Sequence, residues 1–74
     1  MSEGYVRMEV DSECFQSIGY NVKTEELELT FASGKTYVYS GVGPLVALEF
    51  SQADSLGTYY HKRLKGRYPE RKVG

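Results

Sequence analysis

The sequence predicts an α+β fold: an antiparallel meander of three to four strands, followed by two short C-terminal helices packed on one face of the sheet. Polar and apolar residues alternate through much of residues 6–40, and the period becomes helical after Pro44. A length of 74 residues allows one domain with a sheet layer and a helix layer. We therefore assign residues 1–74 to a single domain, with a core at about 8–69 and a flexible basic tail at 70–74.

Four segments carry the strand pattern. They span residues 6–10, 15–22, 26–31 and 35–40. In the third segment Leu27, Leu29 and Phe31 share one face, because successive side chains of a strand point to opposite sides. Turn-forming residues separate the segments, which predicts hairpin connections.

The loop between the third and fourth strands decides the orientation of Tyr37 and Tyr39. A two-residue loop turns both rings to the polar face, where they would be open to a ligand. A three-residue loop, 32–34, pairs them with Leu29 and Leu27 instead. We favour the longer loop, because it places a glycine at the left-handed position and keeps one face apolar. Both tyrosines are then core residues.

The preceding hairpin supports the same choice of faces. A four-residue loop after the second strand pairs Tyr20 with Leu27 and Ile18 with Leu29. The predicted core face comprises Ile18, Tyr20, Leu27, Leu29, Phe31, Tyr37 and Tyr39. The predicted solvent face comprises Asn21, Glu26, Glu28, Thr30, Thr36, Val38 and Ser40.

Two helices are expected after the strands. The first is predicted at 44–53, where a proline suits the first helical turn. The second lies within 53–69, with Asp54 or Ser55 as its N-cap and Pro69 just past its end.

Helical spacing predicts the buried face of the second helix. That face comprises Leu56, Tyr59, Tyr60, Leu64 and Tyr68, opposite Thr58, His61, Lys62 and Lys65. Gly57 lies within the buried arc, where a missing side chain permits close approach to the sheet. Gly66 is expected to weaken the last turn.

Charge is segregated along the chain, although the net charge is only −1. Residues 60–74 contain six of the nine Lys and Arg residues and a single acid, Glu70. Such segregation indicates either one surface that faces an anion or a solvated basic terminal helix.

Several classes of protein are disfavoured. The single cysteine excludes an internal disulfide and fits a reducing compartment. No apolar run approaches the roughly 18 residues that span a bilayer, and no secretory signal is visible. We expect a cytoplasmic protein without membrane contact.

Catalytic chemistry is also disfavoured. A metal site needs three or four converging ligands, whereas this chain has one histidine and one cysteine. A nucleophilic pair of Cys14 and His61 would require a tertiary contact, and we interpret both as structural or surface residues. We predict no catalytic residue, cofactor, metal or small-molecule substrate, and hence no enzyme.

An ordered set of motifs resembles the KTSC domain, a module of about 60 residues named after the C-terminal extension of some lysyl-tRNA synthetases, which also occurs as a stand-alone bacterial protein. The motifs are "IGYN" (18–21), "LELTF" (27–31), "YVYSGV" (37–42), "ADSLGTYY" (53–60) and "KGRYP" (65–69). The marker residues are Tyr20, Tyr37, Tyr39, Gly41, Val42, Ser55, Gly57 and Tyr59. The chain departs from the family pattern at Gly43, Leu56 and His61.

The resemblance implies an uncharacterised function with RNA binding proposed, and two interpretations stay open. The first is binding of RNA or tRNA-related machinery through the basic C-terminal helix. Its candidate residues are His61, Lys62, Arg63, Lys65, Arg67, Arg71 and Lys72. The second is a protein–protein interaction module, self-associating or with another protein, that uses a sheet edge or the 41–44 loop with its neighbouring helix.

Overall fold

The computed structural model describes residues 5–10 and 12–74. It contains a five-stranded antiparallel sheet in the order β1-β2-β3-β4-β5, with two helices packed on one face. The predicted fold class is therefore confirmed. Residues 1–4 and 11, which the single-domain assignment includes, lie outside the described residues.

The elements follow the predicted order. The strands are β1 (Tyr5–Glu9), β2 (Phe15–Asn21), β3 (Glu26–Phe31), β4 (Thr36–Tyr39) and β5 (Glu70–Lys72). The helices are α1 (Pro44–Ser51) and α2 (Leu56–Tyr59), and α2 continues into a π turn (Tyr60–Leu64). Helix α1 begins at the predicted proline and ends two residues before the predicted boundary at 53.

The register of the central hairpin is the one that the three-residue loop predicts. Leu29 lies opposite Tyr37, and Leu27 lies opposite Tyr39. The Phe31 N–H donates to the Lys35 carbonyl at 2.8 Å, which closes the loop. The loop glycine adopts a φ of 94°, a conformation that L side chains rarely take.

The core lies between the sheet and the helices. Its buried members are Phe15, Ile18, Leu27, Leu29, Tyr39, Val42, Ala47, Phe50, Tyr60 and Leu64. Phe15 and Phe31 of the sheet both make edge-to-face or tilted contacts around the Tyr60 ring, at centroid distances of 5.6 and 5.5 Å. Aromatic packing of this kind contributes more than the buried area alone.

The C-terminal tail differs from the prediction. Residues 70–72 form β5, which pairs with β4 in the register Tyr39 to Glu70 and Tyr37 to Lys72. Beyond the strand, the Val73 N–H donates to the Thr36 carbonyl at 2.8 Å. The basic composition of the tail does not indicate a strand, because the pairing of β5 depends on backbone groups of β4 rather than on apolar side chains.

The outer face of the sheet, which no helix of the described residues covers, departs from prediction at two positions. Val38 and Asn21 are buried there, although both were assigned to the solvent face. Val38 lies between Glu28 of β3 and Arg71 of β5, so long charged side chains flank it on both sides. The Asn21 side chain accepts hydrogen bonds from the Lys23 and Thr24 N–H groups at 3.0 and 3.3 Å, which orders the β2–β3 turn.

Candidate nucleic-acid interface

The basic residues of the second helix form one exposed surface, which we name the basic surface. It comprises His61, Lys62, Arg63, Lys65 and Arg67. All five side chains are exposed, and none forms an ion pair with a described residue. The charges of the four Lys and Arg residues are therefore available to an external anion.

The π turn explains why Arg63 belongs to this surface. In a continuous α-helix of about 3.6 residues per turn, Arg63 would lie between Tyr59 and Tyr60 on the buried side. Here the Lys65 N–H donates to the Tyr60 carbonyl at 2.8 Å, five residues back, so the turn is widened. The widened turn keeps Leu64 in the core, where it is fully buried, and turns Arg63 outward.

The end of this helix corrects one expectation. Gly66 was expected inside the last turn, where it would weaken the helix. It instead follows the cap residue Lys65 with a φ of 76°, a left-handed conformation that suits glycine at a helix end. The Arg67 N–H then donates to the Leu64 carbonyl at 3.1 Å, so the turn that carries Arg67 is ordered.

The two remaining candidates, Arg71 and Lys72, lie on β5 and point to opposite faces. Arg71 stands opposite Val38 on the outer face, and its Nη2 lies 3.2 Å from a carboxylate oxygen of Glu26. Lys72 stands opposite Tyr37, on the side of the helices. The structure thus separates Arg71 from the basic surface and leaves Lys72 on the same side of the sheet.

Two aromatic rings that the sequence analysis assigned to the core border the basic surface. His61 and Lys65 line a cleft of about 380 Å³ together with Phe31. Phe31 also lines the adjoining cleft, of about 280 Å³, with Tyr37 and Lys35. The Phe31 and Tyr37 rings are half-buried and meet edge to face at 5.8 Å. Lys35 was missed as a site residue, although the three-residue loop already placed it opposite Phe31.

The remaining part of the basic surface lies on the other side of the helix. Lys62 and Arg63 line a cleft of about 330 Å³ with Tyr59 and Asp54. The Tyr59 hydroxyl donates to a Glu49 carboxylate oxygen at 3.0 Å, and burial together with this bond raises the pKa of Tyr59. Tyr59 therefore links α2 to α1 and has its hydroxyl engaged within the fold.

Tyr39 is a core residue, as predicted. Its side chain is almost fully buried, and its hydroxyl shares a 2.8 Å hydrogen bond with the Tyr60 hydroxyl. Burial and this hydrogen bond raise the pKa of Tyr39 far above its ordinary value. Tyr37 is only half-buried, so Tyr39 is the core residue of the two and Tyr37 lies at the rim of the core.

The other marker residues hold the connections of the fold. The Tyr20 hydroxyl donates to the Val42 carbonyl, and Gly41 beside it adopts a φ of 78°. Ser55 caps α2 by accepting a hydrogen bond from the Thr58 N–H at 3.2 Å. These contacts fix the chain where it passes from sheet to helix and from α1 to α2.

Acidic side chains of the outer face are paired with cations from the edge strands. Arg7 of β1 forms a two-pronged contact with Glu28, at 2.7 and 3.0 Å. Glu26 accepts a hydrogen bond from the Tyr5 hydroxyl at 2.9 Å and contacts Arg71. These hydrogen bonds lower the pKa of Glu26, whereas burial and the carboxylate raise the pKa of Tyr5 to about 12. The negative charges of Glu26 and Glu28 on this face are thus largely compensated.

An apolar groove lies between β1 and α1. Val6 and Met8 of β1 line one side, Pro44 and Leu48 of α1 line the other, and Ile18 lies among the residues of the groove. Its volume is about 320 Å³. The groove lies between the sheet edge and the 41–44 loop with its helix, which are the alternative interaction surface predicted from the sequence.

The described residues show little sign of other chemistry. Cys14 and His61 line the same cleft, but no hydrogen bond joins them. Within residues 5–10 and 12–74, no cluster of three or more His, Cys, Asp or Glu side chains is placed to bind a metal ion. No helix in this part of the chain is long and apolar enough to cross a membrane.

Comparison with known proteins gives three consistent matches. The model of the KTSC domain family matches residues 11–68. An uncharacterised protein of Stutzerimonas stutzeri (strain A1501) is 34% identical over 62 residues, which cover 84% of this chain and 87% of that protein. The crystal structure of a KTSC domain protein from Yersinia pestis superposes with a TM-score of 0.91 at 34% identity, covering 95% of this chain and 99% of the other.

Proposed function

The chain belongs to the KTSC domain family, and we propose that it is a non-catalytic RNA-binding domain that contacts phosphates through the basic surface. The observation that supports this proposal most strongly is which charged side chains lack an ion-pair partner among the described residues. Lys62, Arg63, Lys65 and Arg67 are exposed without ion pairs among the described residues, while Glu26 and Glu28 on the outer face are paired. The free positive charge is therefore concentrated on the helix side of the molecule.

The rim aromatics favour single-stranded RNA as the ligand. Unpaired bases stack on aromatic side chains, and a neighbouring set of cations can follow the backbone. Phe31 and Tyr37 are half-exposed beside Lys35, His61 and Lys65, which is the combination that such a strand requires. The resemblance to a lysyl-tRNA synthetase extension also favours RNA over DNA.

The salt dependence of binding tests this proposal. We expect four to five phosphate contacts, so affinity for single-stranded RNA should fall roughly 50- to 130-fold between 50 and 200 mM salt. Lys65→Glu should weaken binding about tenfold at 50 mM salt and reduce the logarithmic salt slope by about 0.7. Fluorescence anisotropy with labelled RNA measures both quantities.

Lys23→Glu is the matched control. It changes the net charge by the same amount, but Lys23 lies in the β2–β3 turn, at the end of the strands opposite the 32–35 loop that borders Lys65. The proposal predicts near-normal RNA affinity for this variant. Equal weakening by both substitutions would show that overall charge, rather than the basic surface, governs binding, and no binding at 50 mM salt would overturn the proposal.

A further inference from the structure

Strand β1 has a free edge. Within residues 5–10 and 12–74, it is the first strand in the sheet order and pairs only with β2. The Val10 N–H donates to the Gln16 carbonyl at 3.3 Å, and hydrogen-bonded positions alternate along an antiparallel ladder. The N–H and C=O groups of Arg7 and Glu9 therefore point away from β2, towards the free edge.

The charges on this edge complement each other when the strand meets a second copy of itself. Arg7 and Glu9 both lie on the outer face, since they stand opposite Gly19 and Ser17 of β2. If two antiparallel copies of β1 are centred on Met8, Arg7 of each lies opposite Glu9 of the other. Centring the pair on Arg7 instead sets two guanidinium groups against each other, which is destabilising.

Both members of this charge pair can take a partner. No described residue forms an ion pair with Glu9. Arg7 already contacts Glu28, but its side chain remains 40% exposed. Gly19 leaves room for the Arg7 side chain, because a Cβ at position 19 would lie 2.9 Å from Arg7 Cγ. Glycine at this position therefore lets the aliphatic part of the arginine lie flat across β2.

The same register joins two apolar surfaces on the helix side of the sheet. It sets Met8 against Met8 and Val6 against Val10 of the second copy. Val6 is 76% exposed and Met8 49% exposed in the single chain, and both line the groove beside Leu48, which is 52% exposed. Pairing covers these side chains, and burial of apolar surface is the main favourable term in such association.

The other edge of the sheet is protected against pairing. Strand β5 is three residues long, and each of its residues, Glu70, Arg71 and Lys72, is charged. Short, charged edge strands are a common means of preventing edge-to-edge association. Strand β1 carries charges as well, but their order makes them attractive to a second β1 in the register centred on Met8.

We propose that the protein forms a two-fold symmetric dimer in which β1 pairs antiparallel with β1 of a second copy, centred on Met8, to give one continuous ten-stranded sheet. The strands are joined by about four backbone hydrogen bonds from Arg7 and Glu9. The Arg7–Glu9 contacts close the outer face, and the two grooves meet on the helix face. The proposal rests on β1 and its groove and is independent of RNA binding.

Cysteine crosslinking tests the register directly. In a Cys14→Ser background, Met8→Cys places two thiols across the two-fold axis, where facing Cα atoms are about 4.5 Å apart and a disulfide can form. Under mild oxidation we expect most of this variant to become a covalent dimer. Val6→Cys in the same background is the matched control, because Val6 faces Val10 and should crosslink far less.

Charge exchange tests the contacts in solution. By sedimentation, the native chain should shift from 8.4 kDa towards twice that mass as its concentration rises. Arg7→Glu and Glu9→Arg should each be monomeric alone, because each variant faces like charges. An equimolar mixture should dimerise again, since every pair in the mixed dimer is then attractive. Circular dichroism of each variant establishes that it is folded.

Three results would overturn the proposal. The first is a native chain that stays monomeric up to millimolar concentration, which would mean that the groove does not bind a second copy of this chain. The second is crosslinking of Val6→Cys in preference to Met8→Cys, which would place the pairing in another register. The third is a folded Glu9→Arg variant that dimerises as strongly as the native chain.

Discussion

Gly57 of α2 lies close to Cys14, the residue that directly precedes β2. A Cβ at this position would lie 2.6 Å from the Sγ atom of Cys14. The sequence analysis predicted close approach here, although it could not name the partner, because the contact joins residues far apart in the chain. Cys14 therefore has a packing role, in keeping with the absence of a hydrogen bond to His61.

Gly57→Ala should destabilise the fold in spite of the better helix propensity of alanine. The exposed Cys14 side chain must move to admit the new Cβ, and overpacking of a tight contact costs about 1–3 kcal/mol, which equals or exceeds the gain of about 1 kcal/mol from replacing a helical glycine. Removing the opposing sulfur should turn this net loss of stability into a gain. The double variant Cys14→Ala with Gly57→Ala should therefore have a higher free energy of unfolding than Gly57→Ala alone. Urea unfolding of the native chain and the two variants measures the differences, and an unchanged loss in the double variant would contradict the account.

Glu26 makes the fold sensitive to acid. Its hydrogen bond from Tyr5, followed by its contacts with Arg71 and Thr24, lowers its pKa below the ordinary value of 4.5. Stability from this lowered pKa is fully present above the unfolded pKa and is lost as pH falls through the folded pKa.

Glu26→Gln should therefore flatten the acid limb of the stability curve. The native chain should lose free energy of unfolding as pH falls from about 5 to 3, and the variant should lose less over the same range. Glu13→Gln is a suitable control, because its carboxylate is exposed and has no ion pair within the described residues. Identical pH profiles for the native chain and Glu26→Gln would contradict the claim that the lowered pKa of Glu26 stabilises the fold.

At the scale of elements, the π turn sets the composition of the basic surface. It behaves as an α-helix with one extra residue, because the Lys65 N–H bonds to the Tyr60 carbonyl five residues back rather than to a carbonyl four residues back. Deleting Arg63 would leave Lys65 four residues after Tyr60, which is the spacing of an α-helical hydrogen bond, and Leu64 three residues after Tyr60, still on the same face.

The deletion of Arg63 should leave a folded protein with a continuous helix. We expect its free energy of unfolding to be no lower than that of Arg63→Ala, which removes the same charge but keeps the widened turn. Thermal unfolding compares the two, and amide NMR reports whether the Lys65 N–H still bonds five residues back. An unfolded deletion variant would show that the π turn is required by the packing around it.

The elements also show which parts of the fold the sequence could predict. The register of β2, β3 and β4 followed from alternation and from turn chemistry, since both are local and a slip would expose the apolar face. The π turn and β5 could not be predicted, because each depends on tertiary contacts: the core around Leu64, and the free backbone of β4.

The candidate site was predictable in part for the same reason. Clustering of basic residues along the chain predicted a basic surface on the helix, and the side chains of these residues are exposed. It also included Arg71, because charge counting cannot show that a strand turns this side chain to the outer face and towards Glu26. It left out Lys35, which belongs to another part of the chain and reaches this region only through the β3–β4 hairpin.

At the scale of the whole molecule, the proposed functions use different surfaces. The basic surface lies on the second helix, whereas the dimer contact uses the edge of β1, at the opposite end of the sheet order from β5. A dimer would therefore present two basic surfaces. Linked sites of this kind bind a long strand more tightly than one site does, when the geometry lets both engage at once.

RNA binding by the basic surface is the central claim, and the amide map of an RNA titration tests it most directly. A ¹⁵N-labelled sample is titrated with single-stranded RNA at 50 and 200 mM salt. We expect shifts at residues 58–67 and at the Phe31 and Tyr37 rim, largely lost at the higher salt, with β1 unchanged. Shifts confined to β1 and α1, or none at 50 mM salt, would contradict the claim.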